Sequence, residues 1–377
     1  MHREQHGTTN GGGPRWPVAI LGATGAVGQT FIRLLEGHPW FEVAELAASE
    51  RSAGKRYGDA ARWLEGTMPE RLRDVPVLPC DPDAVRSPIV FSALDSSAAG
   101  AVEPAMAAAG KVVFSNAKNF RMAPDVPLVI PEVNHDHVAL IERQRRERGW
   151  SGAIVTNANC SVTVAALALA PLHEAFTVTQ TFIATMQAVS GAGYPGVPSL
   201  DILGNAIPYI ADEEPKIQVE LRKLLGRCDG ERIVDAEIRS SVHTNRVPVE
   251  HGHTVCMSVG FARKPSVQEV VDVLRAWRGP ERVRRMPSAP ELAVAYTDAP
   301  ARPQPRRDAM AGDGMTVTVG RVREDDLLDV RLVAMGHNTI RGAAGGSILN
   351  AELLAGGLPD GRTSLLDEAR AAASVGA

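Results

Sequence analysis

The 377-residue chain has few cysteines, few aromatics, no long apolar run and no excess of charge of one sign, and each scarcity excludes a class of protein. Its four cysteines, Cys80, Cys160, Cys228 and Cys256, lie far apart, with no CxxC pair and no Cys/His spacing of a zinc site. They define neither a disulfide framework nor a structural metal and read as reduced thiols. No apolar stretch reaches the roughly 18 residues that a membrane-crossing helix needs; the longest, 162–172, is too short. The polar, glycine-bearing stretch 1–16 contains no apolar segment of the kind a secretion machinery reads, so it is expected to be a flexible tail on a cytoplasmic protein. The 40 Lys and Arg against 44 Asp and Glu leave a net charge of −4, which argues against holding nucleic acid by bulk positive charge. Small-molecule partners are expected instead.

What is present is length and alternation. At about 100 to 200 residues per domain, the chain suggests two domains, each with its own core. From Pro17 onward, short apolar runs (18–21, 43–48, 89–94, 112–114) alternate with helix-like segments (27–35, 98–109). That pattern predicts βαβ units, a mainly parallel sheet and a Rossmann-type dinucleotide-binding α/β domain over 17–157. Near residue 157 the character changes. An alanine-rich helix is expected over 161–176, strands over 178–187, 255–261 and 330–334, and helices over 215–225 and 267–277. These predict a second, α+β domain over 158–340. The segment 300–305 is Pro-rich and reads as a surface loop, 341–354 reads as a helix that returns to the first domain, completing it over 341–356, and 357–377 reads as a short, partly ordered tail.

Directly after the first apolar run stands Gly22-Ala23-Thr24-Gly25-Ala26-Val27-Gly28, followed by a helical stretch. A strand, a glycine turn and a helix place backbone N–H groups and a positive helix end against a pyrophosphate. The second strand leads into Ser49-Glu50-Arg51-Ser52-Ala53-Gly54-Lys55, where such folds meet the adenosine ribose. Glu50 favours a free ribose diol and hence NAD; Ser49, Arg51, Ser52 and Lys55 favour a 2′-phosphate and hence NADP(H). Two hydroxyls and two cations outnumber one carboxylate.

Thr156-Asn157-Ala158-Asn159-Cys160-Ser161 ends an apolar run just where the long helix is expected to begin. A cysteine at a helix N-terminus feels the positive end of the macrodipole, which favours the thiolate. His253, in Asn245-Arg246-Val247-Pro248-Val249-Glu250-His251-Gly252-His253-Thr254, supplies the imidazole that a cysteine nucleophile needs for proton management. Sequence spacing does not say whether the two meet.

These stretches, with Ser115-Asn116-Ala117-Lys118-Asn119-Phe120-Arg121, Gln187-Ala188-Val189-Ser190-Gly191-Ala192-Gly193-Tyr194-Pro195-Gly196, Glu213-Glu214-Pro215-Lys216 and the segment 338–354, resemble the aspartate-semialdehyde dehydrogenase family in its archaeal and fungal branch. The motifs follow in order over nearly all of 17–355. The resemblance implies that NADPH reduces L-aspartyl 4-phosphate to L-aspartate 4-semialdehyde and phosphate, a step toward lysine, methionine and threonine. It implies Cys160 as the nucleophile, His253 as the acid/base and Gln187 as the residue that orients the acyl intermediate.

Arg246 suits the α-carboxylate as a planar bidentate donor and Glu213 suits the α-ammonium. Lys216, Arg121 and Asn116 would take the departing phosphate. Glu213 and Lys216, three apart, would share a face if that segment is helical. Ser190, Gly191 and Asn338 match positions near the nicotinamide. The family usually forms homodimers or homotetramers through its second domain.

The chain departs from the family where Ala158 replaces a common proline before the nucleophile, and Arg302–Arg307 is a basic insertion without an assignment. Two other readings stay in view. One is a thioester reductase of the malonyl-CoA type, which has less need of Glu213, Arg121 and Lys216; the other is a non-catalytic paralogue, which would not need Cys160 and His253.

Overall fold

A computed structural model of the chain describes residues 15–356. Strands β1 (Trp16–Leu21), β2 (Phe41–Ala48), β3 (Leu78–Pro79), β4 (Ile89–Ser92), β5 (Val112–Ser115), β6 (Leu128–Val129) and β7 (Ala153–Asn157) form one sheet in the order β3-β2-β1-β4-β5-β7-β6. All its pairings are parallel. A parallel sheet with helices on its faces buries both sides of each strand, which explains why β4, β5 and β7 are buried throughout and read as continuous apolar runs. Phe31, Phe41, Phe91 and Phe114 pack ring against ring in its core. The first strand begins at Trp16, within the stretch expected to be a tail; the rest of that expectation, 1–14, and the tail expected over 357–377 lie outside the described residues.

The second sheet contains β8 (Val178–Gln187), β11 (Arg239–Arg246), β12 (His253–Phe261), β13 (Val294–Thr297), β14 (Val317–Glu324) and β15 (Val330–Gly336), in the order β11-β8-β12-β15-β14-β13. The small pair β9 (Arg227–Cys228) and β10 (Ile233–Val234) stands apart. One face of the six-stranded sheet packs against helices Cys160–Phe176, Glu213–Leu224 and Val267–Ala276, through Val164, Leu167, Ile217, Leu221, Val270 and Leu274. The opposite face carries Phe182 and Met186, 42% and 39% exposed, with the His243 ring tilted against Phe182.

The returning segment differs from a simple helix. Residues Ile340–Ala344 form a π-helical turn, and the α-helix proper runs Gly345–Ala355. Ile348, Leu349, Leu353 and Leu354 are buried among Val18, Phe31 and Phe91 of the first domain. Arg341, fully buried, holds Glu132 in a two-point ion pair at 2.7 and 2.5 Å. The loop before residue 305 is followed by a short helix, Pro305–Asp308, with Arg302 paired to Asp308.

Candidate active site

The first domain delivers its loops from the carboxyl ends of parallel strands, where such sheets bind ligands. After β1, Gly22 has a φ of +72°, and a Cβ there would lie 2.6 Å from the Ala93 carbonyl oxygen. Gly28 packs the following helix, Ala26–Leu35, onto the loop so closely that a Cβ would come within 2.3 Å of the Gly22 oxygen. Gly25, exposed and extended at the helix N-cap, leaves the amides of Ala26, Val27 and Gly28 at the positive helix end, and Thr24 lies in the same turn. The loop therefore has the close approach that a pyrophosphate requires. After β2, Ser49, Arg51, Ser52 and Lys55 lie in one turn, with Ser52 N–H donating to the Ser49 carbonyl. Arg51 and Lys55 are exposed. β2 is tied to the glycine loop by Ala23 N–H donating to the Ala47 carbonyl. The turn that carries these cations thus follows a strand joined to the glycine loop, and the residues fit an NADP(H) molecule.

The second domain brings three strand ends to one place. β8 and β11 run parallel with Gln187 opposite Arg246, while β12 runs antiparallel to β8 and so starts at the same edge, at His253. Alternation puts Gln187, Arg246 and His253 on the helix-covered face with Ile183, Val242 and Val255. They meet the first turn of helix Cys160–Phe176. The N-cap of that helix, Asn159, accepts hydrogen bonds from Ser161 and Val162 N–H, and Cys160 follows as the first helical residue.

Cys160 Sγ lies 3.2 Å from His253 Nε2. His253 Nδ1 accepts the Ala188 N–H at 3.1 Å. A backbone amide only donates, so the neutral ring carries its hydrogen on Nε2 and turns it toward the sulfur. Burial pulls His253 down to about 3, helped by Arg246 and His337. Burial, with Glu213 nearby, pushes the Cys160 thiol up to about 12 against the pull of Arg121 and Arg246. The helix end was expected to favour the thiolate; desolvation outweighs it and favours the uncharged thiol and imidazole.

Glu213 Oε1 accepts from Asn159 Nδ2 at 2.9 Å and from Gln187 Nε2 at 3.2 Å, and its Oε2 lies 3.6 Å from Lys216 Nζ. The two residues share a helix face as expected. Arg246 Nη1 donates to the Ala188 carbonyl at 2.8 Å, so one residue, Ala188, orients both the imidazole and the guanidinium through its backbone. Gly191 sits over that pair; a Cβ there would be 2.9 Å from Arg246 Nη1 and 3.1 Å from the His253 ring. Its place is thus against the cysteine–histidine cluster. Asn338 donates to Ser190 Oγ and accepts Gly252 N–H, which ties the 190–196 loop to the segment before His253.

Arg121 is buried, with Nη1 on Glu220 at 3.0 Å and Nη2 on the Asn116 carbonyl at 2.7 Å; its Nε has no partner among the described residues. Asn116 is less free than its assignment as a phosphate donor assumes. Its Nδ2 donates to the Ser92 carbonyl, and its Oδ1 accepts from Asn157 and Ser347. Sequence reasoning passed over three contributors. Ala188 acts through its backbone, Glu220 looks like an ordinary helix charge, and Gly342 on the π turn touches Cys160 so closely that a Cβ would lie 2.6 Å from the cysteine Cβ.

Among the described residues no group of three His, Cys, Asp or Glu side chains is placed to hold a metal, and all four cysteines are free. No described helix is long and apolar enough to cross a membrane. A cavity of about 530 Å³, lined by Leu34, Pro290, Asp313, Met315, Thr316 and Ile348, shares no residue with the cysteine cluster. A thiol, an imidazole and paired charges converge in the cysteine cluster instead.

Comparison with known proteins agrees with this geometry. Residues 17–141 match the family described as semialdehyde dehydrogenase, NAD binding domain, and 169–341 match semialdehyde dehydrogenase, dimerisation domain. The aspartate-semialdehyde dehydrogenase of Archaeoglobus fulgidus is 50% identical over 341 residues, covering 90% of this chain and 98% of that one. That of Schizosaccharomyces pombe is 46% identical over 347 residues, covering 89% and 97%. The crystal structure of the Candida albicans enzyme with NADP superposes with a TM-score of 0.83 at 43% identity, covering 90% of this chain and 98% of that one. With both domains matched and relatives of this similarity aligned along nearly their whole length, the chain belongs to the aspartate-semialdehyde dehydrogenase family.

Proposed function

We propose that the chain converts L-aspartyl 4-phosphate to L-aspartate 4-semialdehyde and phosphate with NADP(H), through a thioester on Cys160. The observation that carries this reading is the 3.2 Å contact between Cys160 and His253 at a helix start ringed by Glu213, Arg246 and Lys216. Arg246 and Glu213 offer opposite charges for the two ends of an amino-acid head, and Lys216 with Arg121 offers cations to a leaving phosphate. NADPH, held by the 22–28 loop and the Ser49, Arg51, Ser52 and Lys55 turn, supplies the hydride.

The chain's own residues do the rest. The Cys160 sulfur attacks the acyl carbon, and the carbon–oxygen bond to phosphate breaks as the carbon–sulfur bond forms. After reduction the thiohemiacetal oxygen is negative, and the Nε2–H of His253 stands beside the sulfur to donate to it. Collapse restores the carbonyl and expels the sulfur as thiolate. The proton of the Cys160 thiol leaves with the phosphate, and the one proton consumed overall restores the thiol from the thiolate that collapse expels. His253 therefore needs to donate a hydrogen bond throughout rather than take up the thiol proton, which suits a ring whose Nδ1 is already occupied.

The exposed Phe182 and Met186 on the open face of the second sheet support self-association there, as a homodimer or a pair of dimers, and we place the protein in the cytoplasm. The test follows NADPH formation from aspartate semialdehyde with and without phosphate, with malonyl-CoA reduction alongside, for the wild type and Cys160→Ser. Phosphate-dependent activity that disappears in the serine variant is expected. Activity that survives the change, or that ignores phosphate, overturns the mechanism.

A further inference from the structure

We propose that Glu220 is a positioning residue that couples anion binding at Arg121 to the placement of the nucleophile. It stands seven residues after Glu213 on helix Glu213–Leu224, hence on the same face two turns along, and it is only 1% exposed. Its two oxygens serve two halves of the site. Oε1 accepts from Arg121 Nη1 at 3.0 Å, and Oε2 accepts from the backbone N–H of Asn159 at 2.7 Å, one residue before Cys160. A buried carboxylate between two donors stabilises both only while both stay in place.

The neighbours of Glu220 leave the strain of any change little other outlet. Lys223, one turn further on, donates to the carbonyls of Arg121, Ala123 and Val126 at 2.6, 2.9 and 2.8 Å, so the backbone of the arginine loop is fixed to the same helix. Burial brings that ammonium down to about 8. Asn159 is held from its other side by Glu213. An anion arriving at Arg121 shares the guanidinium that Oε1 holds in place, with Nε still without a partner among the described residues. The carboxylate's charge then falls more on the Asn159 N–H, and the turn that carries Cys160 responds. The coupling rests on the reading of Arg121 as a phosphate ligand.

The experiment compares the wild type, Glu220→Gln and Arg121→Ala. It measures KM for phosphate and kcat in semialdehyde oxidation, and separately the rate of Cys160 alkylation by iodoacetamide across a phosphate titration. An amide has one oxygen for the two donors and turns its NH2 toward the other, so Glu220→Gln loses one charged hydrogen bond. KM for phosphate is expected to rise at least about tenfold. Phosphate is expected to change the alkylation rate of the wild type but not of Glu220→Gln, a readout that a purely structural residue would leave alone.

If Arg121→Ala raises the phosphate KM and Glu220→Gln does not, the coupling is wrong and the phosphate site stands. A lower KM in Glu220→Gln would mean that the carboxylate merely opposes the anion's charge, which also overturns the proposal. An unchanged KM in Arg121→Ala removes the phosphate site and the proposal with it. Should Glu220→Gln not fold, Glu220→Asp, which keeps the charge and withdraws both oxygens by one methylene, is expected to give the same losses; wild-type behaviour in it refutes the coupling.

Discussion

Gly342→Ala is a small change with a calculable consequence. The new methyl carbon would lie 2.6 Å from Cys160 Cβ and 2.8 Å from Cys160 Cα, whereas carbon–carbon contacts settle at about 3.5–4.0 Å, so about 1 Å must be recovered. Neither side yields easily. Gly342 is held by Asn157 Nδ2 on its carbonyl at 3.3 Å and by the Arg341–Glu132 pair next to it. Cys160 follows an N-cap fixed by Glu213 and Glu220. Overpacking of this kind costs about 1–3 kcal/mol, or about 2–12 °C in Tm at roughly 2–4 °C per kcal/mol. The sulfur must shift relative to His253, and a displacement of about 1 Å at a reacting group costs about a hundredfold in rate. The expected signature is a kcat loss near that size with a Tm drop in that modest range. Steady-state oxidation of aspartate semialdehyde and a thermal melt decide it, and a variant whose kcat stays within about threefold of wild type refutes the argument that Gly342 sets the cysteine's position.

Three further outcomes follow from the same geometry. With the Cys160 thiol pushed up to about 12, thiolate is scarce near neutrality and grows with pH, so the alkylation rate of the ligand-free protein should climb about tenfold per unit from about pH 7 to 10. A plateau near neutrality in mass-spectrometric alkylation would contradict it. Arg51→Ala should raise KM for NADPH about tenfold or more while leaving NADH unchanged, because only the 2′-phosphate offers that cation a partner; steady-state kinetics with both cofactors reads the split. Glu132→Gln strands the buried Arg341 guanidinium and should cost about 3–5 kcal/mol in urea unfolding, most of it recovered by combining Glu132→Leu with Arg341→Met.

The parts of the molecule legible in the sequence are those whose local chemistry matches their role. The glycine turn announces a close approach, the strand 178–187 shows its runs, and Cys160 stands where an apolar strand gives way to a long alanine-rich helix. Other parts are silent for physical reasons. Strand Arg239–Arg246 is an edge strand that buries only Val242, Thr244 and Arg246, so its composition reads as polar loop. Helix Leu140–Arg148 buries only Leu140, Ile141 and Gln144 under a charged surface. The π turn at Ile340–Ala344 is a choice of hydrogen-bond register that no side chain spells out. Glu220 has the spacing of a surface charge between Lys216 and Lys223, and its burial arises only when the 116–126 loop, far off in sequence, closes over it.

The last described helix has a consequence for how the protein is made. Gly345–Ala355 supplies Ile348, Leu349, Leu353 and Leu354 to the core begun by Val18, and Gly342 just before it presses on the nucleophile. A ribosome delivers those residues only after the second domain, so the nucleotide-binding domain leaves the exit tunnel before that domain but waits through its entire synthesis for the missing wall. Proofreading is thereby built into the chain order: a product that stops short of residue 340 has both Cys160 and His253 but lacks the segment that packs behind the sulfur, and truncated copies are born without a finished site.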